Sequence, residues 1–362
     1  MKDKKMNILA IESSCDETSV AVVKDGRKVL SNVIASSADL QSQFGGVVPE
    51  IAAREHVKVI AAVIEQALEE AHCKPETDID AFAVTAGPGL AGALLVGVSA
   101  AKALAFAYKK PLYPVHHLAG HICANFLSDA EFDVPFTGLI VSGGHSHLVT
   151  MDQNYDFQIL GRTLDDACGE AFDKIARALG KPYPGGPQID KLAKTGDNTR
   201  YAFPTAHLKN NLDFSFSGLK TAALTYINKA KQTAEREGCE FTDILNINDF
   251  AASFQTAIVQ TLVKHSKLAI LQTGAKIFGL AGGVAANNEL RQALADMCKK
   301  LNVHFTCPDK ILCTDNGAMI GASAYYLSIS GGKPADSNLN AYPSWSLDQW
   351  KKLPQVKVHK KL

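Results

Sequence analysis

Short apolar segments in this chain alternate with longer segments in which apolar residues recur every three or four positions. Residues 6–23 hold two apolar segments, NILAI and VAVV, on either side of the polar sequence ESSCDETS, which predicts a strand, a turn and a strand. Residues 49–73 have the spacing of a helix, with Pro49 in the first turn, where a missing N–H is harmless. Residues 80–85 predict a short strand, followed by a helix that ends near Tyr108. Alternating strands and helices predict an α/β fold.

The second half of the chain repeats part of this pattern. Residues 136–151 (FTGLIVSGGHSHLVTM) again place a turn of small and polar residues between two apolar segments. Helices are predicted over residues 164–179, 287–301 and about 315–328, and KIFGLAG predicts a strand. Because similar hairpins occur in both halves, the sequence predicts a duplicated fold of two lobes with a ligand between them.

Length and charge limit what the chain can bind. The 362 residues are enough for two domains or lobes. Lysine plus arginine and aspartate plus glutamate balance at 37 each, so the chain as a whole does not attract a polyanion. Any contact with nucleic acid is therefore expected at local basic patches, of which residues 109–110, 299–300 and 351–360 are candidates.

The cysteines and the apolar stretches predict a cytoplasmic protein. The eight cysteines form no Cys-x-x-Cys pair and lie mostly in apolar segments, as expected for reduced thiols. The first residues lack the apolar run of a signal peptide. The most apolar stretch, residues 89–108, is interrupted by Lys102, so we expect a buried helix and no membrane contact.

Two histidines in the sequence HHLAGH have the spacing of metal ligands. His117 and His121 are four residues apart, so on a helix they project from one face and can share a metal ion. Histidines at this spacing are also common without a metal, and a site needs a third ligand. Asp315 is the best remote candidate, although an aspartate there could also cap the following helix. No histidine is followed by glutamate, so we expect no acid next to the histidines of the kind that a zinc peptidase with His-Glu-x-x-His requires.

Three glycine-rich turns are candidates for nucleotide contacts. GPGLAG satisfies the dinucleotide pattern G-x-G-x-x-G, but no acidic residue lies between Asp80 and Asp129 to hold a ribose, which favours a tight turn. Residues 141–146 (VSGGHS) and 280–288 (LAGGVAANN) each follow a strand, where exposed N–H groups favour phosphate or adenine. With the PGGP turn they predict a nucleotide site, although each alone could be an ordinary turn.

A carboxylate face is predicted on the helix over residues 164–179. Asp166, Glu170 and Asp173 recur there at spacings of four and three residues. A solvated surface is the usual explanation of such a face. The neighbouring PGGP turn and Asp190 make a ligand-lining role the alternative.

Read in order, these strings closely resemble the universal tRNA threonylcarbamoyladenosine transferase family, once described as O-sialoglycoprotein endopeptidases. The resemblance runs from about residue 6 to residue 326, and its bacterial form is favoured by DDACGEAFDK and by the lack of a fused kinase segment. The strings that carry it are IESSCDETSVAVV, GGVVPEIAAREHV, TAGPGLAGALLVG, PVHHLAGH, LIVSGGHSHL, LDDACGEAFDKIARALG, YPGGP, DFSFSGLKT, LAGGVAANNELR and CTDNGAMIG.

The resemblance implies a two-lobed actin-like and sugar-kinase-like fold. Residues 1–130 would form the N-terminal lobe, completed by a C-terminal helix within about residues 316–345, and residues 131–315 would form the C-terminal lobe. One iron or zinc ion would be held by His117, His121 and Asp315, whereas His116 is not carried over. The implied contacts with an adenine nucleotide are Ile140, Val141, Ser142, Gly143, Gly144, Asp173, Gly186, Asp190 and Asn287.

The resemblance also implies a reaction and its partners. The threonylcarbamoyl group of threonylcarbamoyl-AMP would pass to the N6 amine of the adenosine 3′ of the anticodon, position 37, in tRNAs that read codons beginning with A. An inactive paralogue and a small ATPase would be partners, and ATP or ADP could also occupy the site. A metal-dependent glycoprotein endopeptidase and an actin-fold ATPase or sugar kinase are the alternatives. No residue stands out as a general base.

Overall fold

A computed structural model describes residues 5–206, 208 and 212–354, so most of the basic tail at residues 351–360 lies outside the described residues. The strands are β1 (Asn7–Glu12), β2 (Glu17–Lys24), β3 (Lys28–Ser36), β4 (Ala81–Gly87), β5 (Leu112–His116), β6 (Phe136–Val141), β7 (Ser146–Met151), β8 (Phe157–Arg162), β9 (Ile277–Ala281) and β10 (His304–Thr306). The helices are α1 (Ala38–Ser42), α2 (Pro49–Ala71), α3 (Ala91–Tyr108), α4 (His117–Cys123), α5 (Asn125–Ser128), α6 (Cys168–Ala178), α7 (Gly185–Ala193), α8 (Ser217–Glu237), α9 (Phe241–Ile244), α10 (Ile247–Thr273), α11 (Asn288–Leu301), α12 (Lys310–Cys313) and α13 (Gly317–Ile329).

The strands form two sheets of the same design. The first has the order β3-β2-β1-β4-β5 and the second the order β10-β9-β6-β7-β8. In each sheet the first strand of a hairpin pairs antiparallel with its partner and parallel with a later strand: β1 with β2 and β4, and β6 with β7 and β9. The two predicted hairpins therefore occupy equivalent places, and the predicted α/β, two-lobed, duplicated fold is confirmed.

Alternating side chains of the first sheet fill two different cores. Leu9 and Ile11 of β1 pack towards α2 and α3 on the outer face. Ile8 and Ala10 point the other way, towards α4 and α13, in a core that also contains Ile140 of the second sheet. Helices α4 and α13 thus lie where the two sheets approach each other. Helix α13 contacts β1, β2 and β3 of the first sheet, although it comes from the C-terminal part of the chain.

Helix α6 begins later than predicted, which corrects the carboxylate face. Residue Thr163 forms a bridge with Phe214, and the amide of Leu164 donates to the carbonyl of Phe214, so these residues are extended rather than helical. Asp166 therefore lies ahead of the helix, where its carboxylate pairs with Lys220 and with Lys174 of α6.

Helix α3 is less buried than the sequence led us to expect. Ala93, Gly97 and Ala101 are buried against the sheet, but Leu95 is 45% and Phe106 88% exposed. Among the described residues α3 is the one helix long and apolar enough to cross a membrane. The prediction of a buried helix is therefore right for one face and wrong for the other.

Candidate functional site

The candidate metal centre begins where strand β5 passes directly into helix α4. The last strand residue, His116, is the N-cap: its Nδ1 accepts from the amide of Leu118 at 3.2 Å, so its Nε2 carries the proton and donates to the carbonyl of Trp345 at 3.0 Å. Burial lowers the pKa of His116 to about 3, so the ring is neutral. Its two nitrogens are both occupied, which leaves it a structural role in orienting α4.

Helix α4 brings His117 and His121 one turn apart, and Asp315 meets them from the other end of the chain. The Oδ1 atom of Asp315 lies 3.5 Å from Nε2 of His117 and 3.2 Å from Nε2 of His121. One ligand atom from each residue fits within 4.8 Å of the others. The three residues that the sequence proposed as ligands therefore lie in one cluster.

The structure bears on the capping role considered for Asp315. The cap of α13 is Asn316, whose side chain accepts from the amide of Met319 at 2.9 Å. The next residue is fixed as well, because the amide of Gly317 donates to Ser19 Oγ at 2.8 Å. Capping by Asp315 was thus the wrong alternative, and its carboxylate is left to face the histidines.

The cluster has the chemistry of a metal site. Both ring nitrogens of His121 are buried, and apart from the contact of Nε2 with Asp315 Oδ1 at 3.2 Å they have no hydrogen-bond partner among the described residues. Burial alone would lower the pKa of His117, but Asp315 and Glu12 raise it to about 9. Burial would raise the pKa of Asp315, yet His117 and His121 hold it at about 2. A cation would satisfy these nitrogens and the carboxylate, and two imidazoles with one carboxylate suit zinc or iron.

Sequence reasoning missed one member of this site, Glu12. Its carboxylate is fully buried at the end of β1, and its Oε2 lies 3.1 Å from Nδ1 of His117. The hydroxyl of Thr85 donates to the same oxygen at 2.6 Å. The other oxygen accepts from the amide of Ser14 at 2.5 Å. A glutamate directly after an apolar strand, ahead of small residues, was the available signal. Glu12 is an acid beside the histidines that the sequence did not reveal, but it is committed to Ser14, Thr85 and His117, unlike the water-activating glutamate of a peptidase.

The candidate nucleotide site is built around the turn that follows β6. The side chains of Ile140 and Val141 are fully buried in the cores, so only their backbone can meet a ligand. A Cβ atom added to Gly143 or Gly144 would have no atom within 4 Å, so these backbones border open space. The amide of Ser142 donates to the carbonyl of His145 at 2.8 Å and closes the turn.

Two other segments pack tightly against this turn. Gly169 at the start of α6 lies so close to Ser142 that a Cβ atom would approach the Ser142 carbonyl oxygen to 2.5 Å. Gly282, with φ +91°, lies against the Val141 carbonyl in the same way. The turn after β6, the start of α6 and the Gly-Gly turn after β9 therefore pack together, and Gly143, Gly144 and Gly283 border open space beside them; we call this the glycine-lined surface.

The remaining predicted nucleotide residues lie in two pairs along α7. Asp173 accepts from the amide of Gly185 at 2.7 Å and so fixes the PGGP turn, while burial raises its pKa. Gly186, like the turn glycines, borders open space. One turn further along, Asp190 accepts from Asn287 Nδ2 at 3.2 Å. The structure thus brings Asp173 to Gly186 and Asp190 to Asn287.

The metal cluster and the glycine-lined surface act on each other electrostatically. His145 closes the turn after β6; burial lowers its pKa to about 3, and the charges of His147, His117, His121 and Asp315 also act on it. We therefore expect the two predicted sites to be neighbours.

The GPGLAG sequence packs against other backbone and does not border open space at its first two glycines. A Cβ atom at Gly87 would overlap the carbonyl of Tyr342, and one at Gly89 would approach Ser14 to 2.7 Å. The space beside these glycines is filled by close backbone packing, as the tight-turn interpretation predicted, and it leaves no room for a pyrophosphate.

Comparison with known proteins identifies the family. The family model for tRNA N6-adenosine threonylcarbamoyltransferase matches residues 28–322. The tRNA N6-adenosine threonylcarbamoyltransferase of Clostridium botulinum (strain Kyoto / Type A2) is 50% identical over 347 residues, which cover 96% of this chain and 99% of the relative. The enzyme of that name from Clostridium kluyveri (strain ATCC 8527) is 50% identical over 349 residues, again covering 96% and 99%.

Solved structures agree on the fold. Full-length HypF in its phosphate- and nucleotide-bound form matches 92% of this chain with a TM-score of 0.59 at 14% identity. HypF from T. kodakarensis matches 90% with a TM-score of 0.58 at 14% identity. The chain spans 48% of the length of each, so the likeness concerns the fold alone. From the family model and the two clostridial relatives, the chain belongs to the tRNA N6-adenosine threonylcarbamoyltransferase family and is an enzyme that modifies adenosine in tRNA.

Proposed function

We propose that the enzyme takes the threonylcarbamoyl group from threonylcarbamoyl-AMP bound between the two sheets. The observation that carries this proposal is the convergence of His117, His121 and Asp315 beside the turn closed by His145. The adenylate would lie along the glycine-lined surface, and its threonylcarbamoyl end would face the cluster. The open space at Gly143 and Gly144 allows phosphate oxygens to approach the backbone.

The transfer follows from the chemistry of the two substrates. The N6 amine of adenosine 37 attacks the carbamoyl carbon, the bond from that carbon to the phosphate oxygen breaks, AMP departs and the amine loses one proton. The glycine-lined surface holds the adenylate, and Asp190 and Asp173 set the position of α7 beside it. The low pKa of His145 keeps its ring neutral, so His145 places no positive charge beside the metal ligands.

A divalent iron or zinc ion fits the cluster. His117 and His121 would bind it through Nε2, since Nδ1 of His117 is occupied by Glu12, and Asp315 would bind it through Oδ1. Such an ion supplies Lewis-acid polarisation and a fixed point for the threonylcarbamoyl group. Ligand distances of about 2.0–2.2 Å with an open position are expected of a catalytic site.

The experiment measures metal content and transfer in parallel. His121→Ala and Asp315→Asn should lose most of the metal found by mass spectrometry, and should lose transfer to tRNA from supplied threonylcarbamoyl-AMP. The folded state should persist, because a core of this size does not depend on one ion. His304→Ala is a matched control, since His304 pairs with Asp129 at 2.6 Å elsewhere on the surface. Full transfer by a variant that has lost its metal would refute the role of the ion.

The partner proposed for this chain is a related, inactive paralogue, and a small ATPase would join that complex. The exposed face of α3 carries no charge: Gly92, Leu95, Ser99, Ala103 and Phe106 recur at spacings of three and four residues. Gly92 approaches Ala53 of α2 closely, and the exposed Val57 lies one turn beyond Ala53. Two helices with such a face can pack against two helices of a protein with the same fold. The eight free cysteines suit a place for this complex in the cytoplasm.

A further inference from the structure

Both N–H donors of the Asn287 side chain are used within the protein. Its Oδ1 accepts from the amide of Leu290 at 2.9 Å and caps α11. Its Nδ2 donates to Gln255 Oε1 at 2.6 Å and to Asp190 Oδ1 at 3.2 Å. An amide nitrogen has two hydrogens, so no donor is left for a nucleotide. Asn287 therefore holds Asp190 and the start of α11 through its nitrogen and its cap, and only its Oδ1 keeps a lone pair for a ligand.

The orientation of Asn287 is set from a residue outside the site. Gln255, 3% exposed on α10, donates from Nε2 to Glu289 Oε2 at 2.8 Å. An ionised carboxylate can only accept, so the nitrogen of Gln255 must face Glu289 and its oxygen must face Asn287. Because Gln255 Oε1 can only accept, the Asn287 atom that faces it must be the donor nitrogen. These hydrogen bonds form a relay in which the carboxylate of Glu289 fixes the orientation of two side-chain amides. The relay runs from Glu289 through Gln255 and Asn287 to Asp190.

The relay ends on the carboxylate of Asp190. Oδ1 accepts from Asn287, and Oδ2 accepts from Asn288 Nδ2 at 2.8 Å. Asn288 is held in turn by Lys310, whose Nζ donates to its Oδ1 at 2.9 Å. Each oxygen of Asp190 is tied once, which fixes the carboxylate plane and leaves further lone pairs for hydroxyl donors of a ligand. If the side-chain amide of Gln255 were rotated by 180°, its nitrogen would oppose the nitrogen of Asn287, or Asn287 would rotate as well and lose both its cap and its bond to Asp190.

We propose that Gln255 and Glu289 are positioning residues for the adenylate, acting through Asn287 on Asp190. This inference rests on the proposed nucleotide site and adds two residues to it that do not touch the ligand. Because both act only through hydrogen-bond direction, exchanging an amide for a carboxylate of the same shape tests them without creating a cavity.

The test compares two single variants with the double exchange, using AMP as the probe in calorimetric titrations. Glu289→Gln removes the acceptor that fixes Gln255, so the amide of Gln255 can rotate and exchange its oxygen and nitrogen. The Kd for AMP should then rise about tenfold, which corresponds to the free energy of about one hydrogen bond. Gln255→Glu opposes two carboxylates and should weaken AMP at least as much. In the double variant the amide introduced at position 289 donates to the carboxylate introduced at position 255, whose second oxygen again accepts from Asn287. The Kd should then return to within about threefold of the original.

A matched control separates positioning from stability. Thr256 also donates to Glu289, at 2.7 Å, but stands outside the relay. Thr256→Val should therefore leave the Kd for AMP unchanged even if it lowers the unfolding midpoint, and metal content should stay constant in every variant. If the original protein binds AMP and Glu289→Gln binds it equally well, the relay is refuted while the nucleotide site stands. If the original protein binds no AMP, the nucleotide site itself fails, and the relay with it.

Discussion

The Nδ1 atom of His117 lies 3.1 Å from Oε2 of Glu12, which precedes it by 105 residues. This contact fixes which nitrogen of His117 faces Asp315. Burial alone would raise the pKa of Glu12, but His117 lowers it below its usual value, so the group is a carboxylate. A carboxylate behind a ligating imidazole orients the ring and increases its basicity.

Glu12→Gln should therefore lower metal affinity by about 10- to 100-fold while the protein stays folded. The measurement is a competition titration against a coloured chelator, with circular dichroism to verify folding. Glu55→Gln, which alters a glutamate paired with Lys58 on the surface of α2, is the control. Equal affinity in Glu12→Gln and the original protein would contradict an orienting role.

The two adjacent glycines after β9 should respond differently to alanine. Gly282 has φ +91° and abuts the Val141 carbonyl, whereas a Cβ atom at Gly283 would have no atom within 4 Å. Gly282→Ala should lower the free energy of unfolding by about 2 kcal/mol or more, and Gly283→Ala by less than about 0.5 kcal/mol. Urea unfolding measures both. Similar losses in the two variants would show that the tight contact with Val141 is absent.

The stability that His116 provides should depend on pH. Its folded pKa of about 3 lies below the usual value of 6.5, so the unfolded chain binds more protons between these values. The contribution is complete above pH 6.5 and is lost as pH falls towards 3. The advantage of the original protein over His116→Gln should thus shrink on acidification by up to about 1.4 kcal/mol per pH unit. Unfolding titrations from about pH 7 to about pH 4.5 span this window. A constant difference would mean that the ring is not held neutral.

The exposed face of α3 should be required for the proposed complex with a paralogue. Leu95→Glu should abolish that complex in size-exclusion chromatography with light scattering, because it places a charge in an apolar contact. Stability of the isolated chain should change by less than about 0.5 kcal/mol, since Leu95 is 45% exposed. Leu271→Glu alters a residue 60% exposed on α10 and should leave the complex intact. A complex that survives Leu95→Glu would place the interface elsewhere.

Elements with local patterns could be predicted from the sequence. Both hairpins, α2 with its first-turn proline, α3 and α11 follow from apolar spacing and turn residues alone, and the structure confirms them. Edge strands β3, β8 and β10 were not predicted, because strands at a sheet edge are defined by their neighbours rather than by their own pattern. The start of α6 was wrong for the same reason, since Thr163 pairs with Phe214 across the fold.

The same division holds for the site. The spacing of His117 and His121 is local and visible in the sequence, and Asp315 could be named from its motif. The position of Asp315 opposite the histidines depends on contacts between segments many positions apart. The same is true of the contacts that Glu12 and Gln255 make with site residues. Each of these side chains has several partners that the sequence alone would allow. The packing of α4 and α13 between the two sheets selects one partner for each side chain. It fixes the distances and the burial, and these make one hydrogen bond or ion pair more favourable than the others.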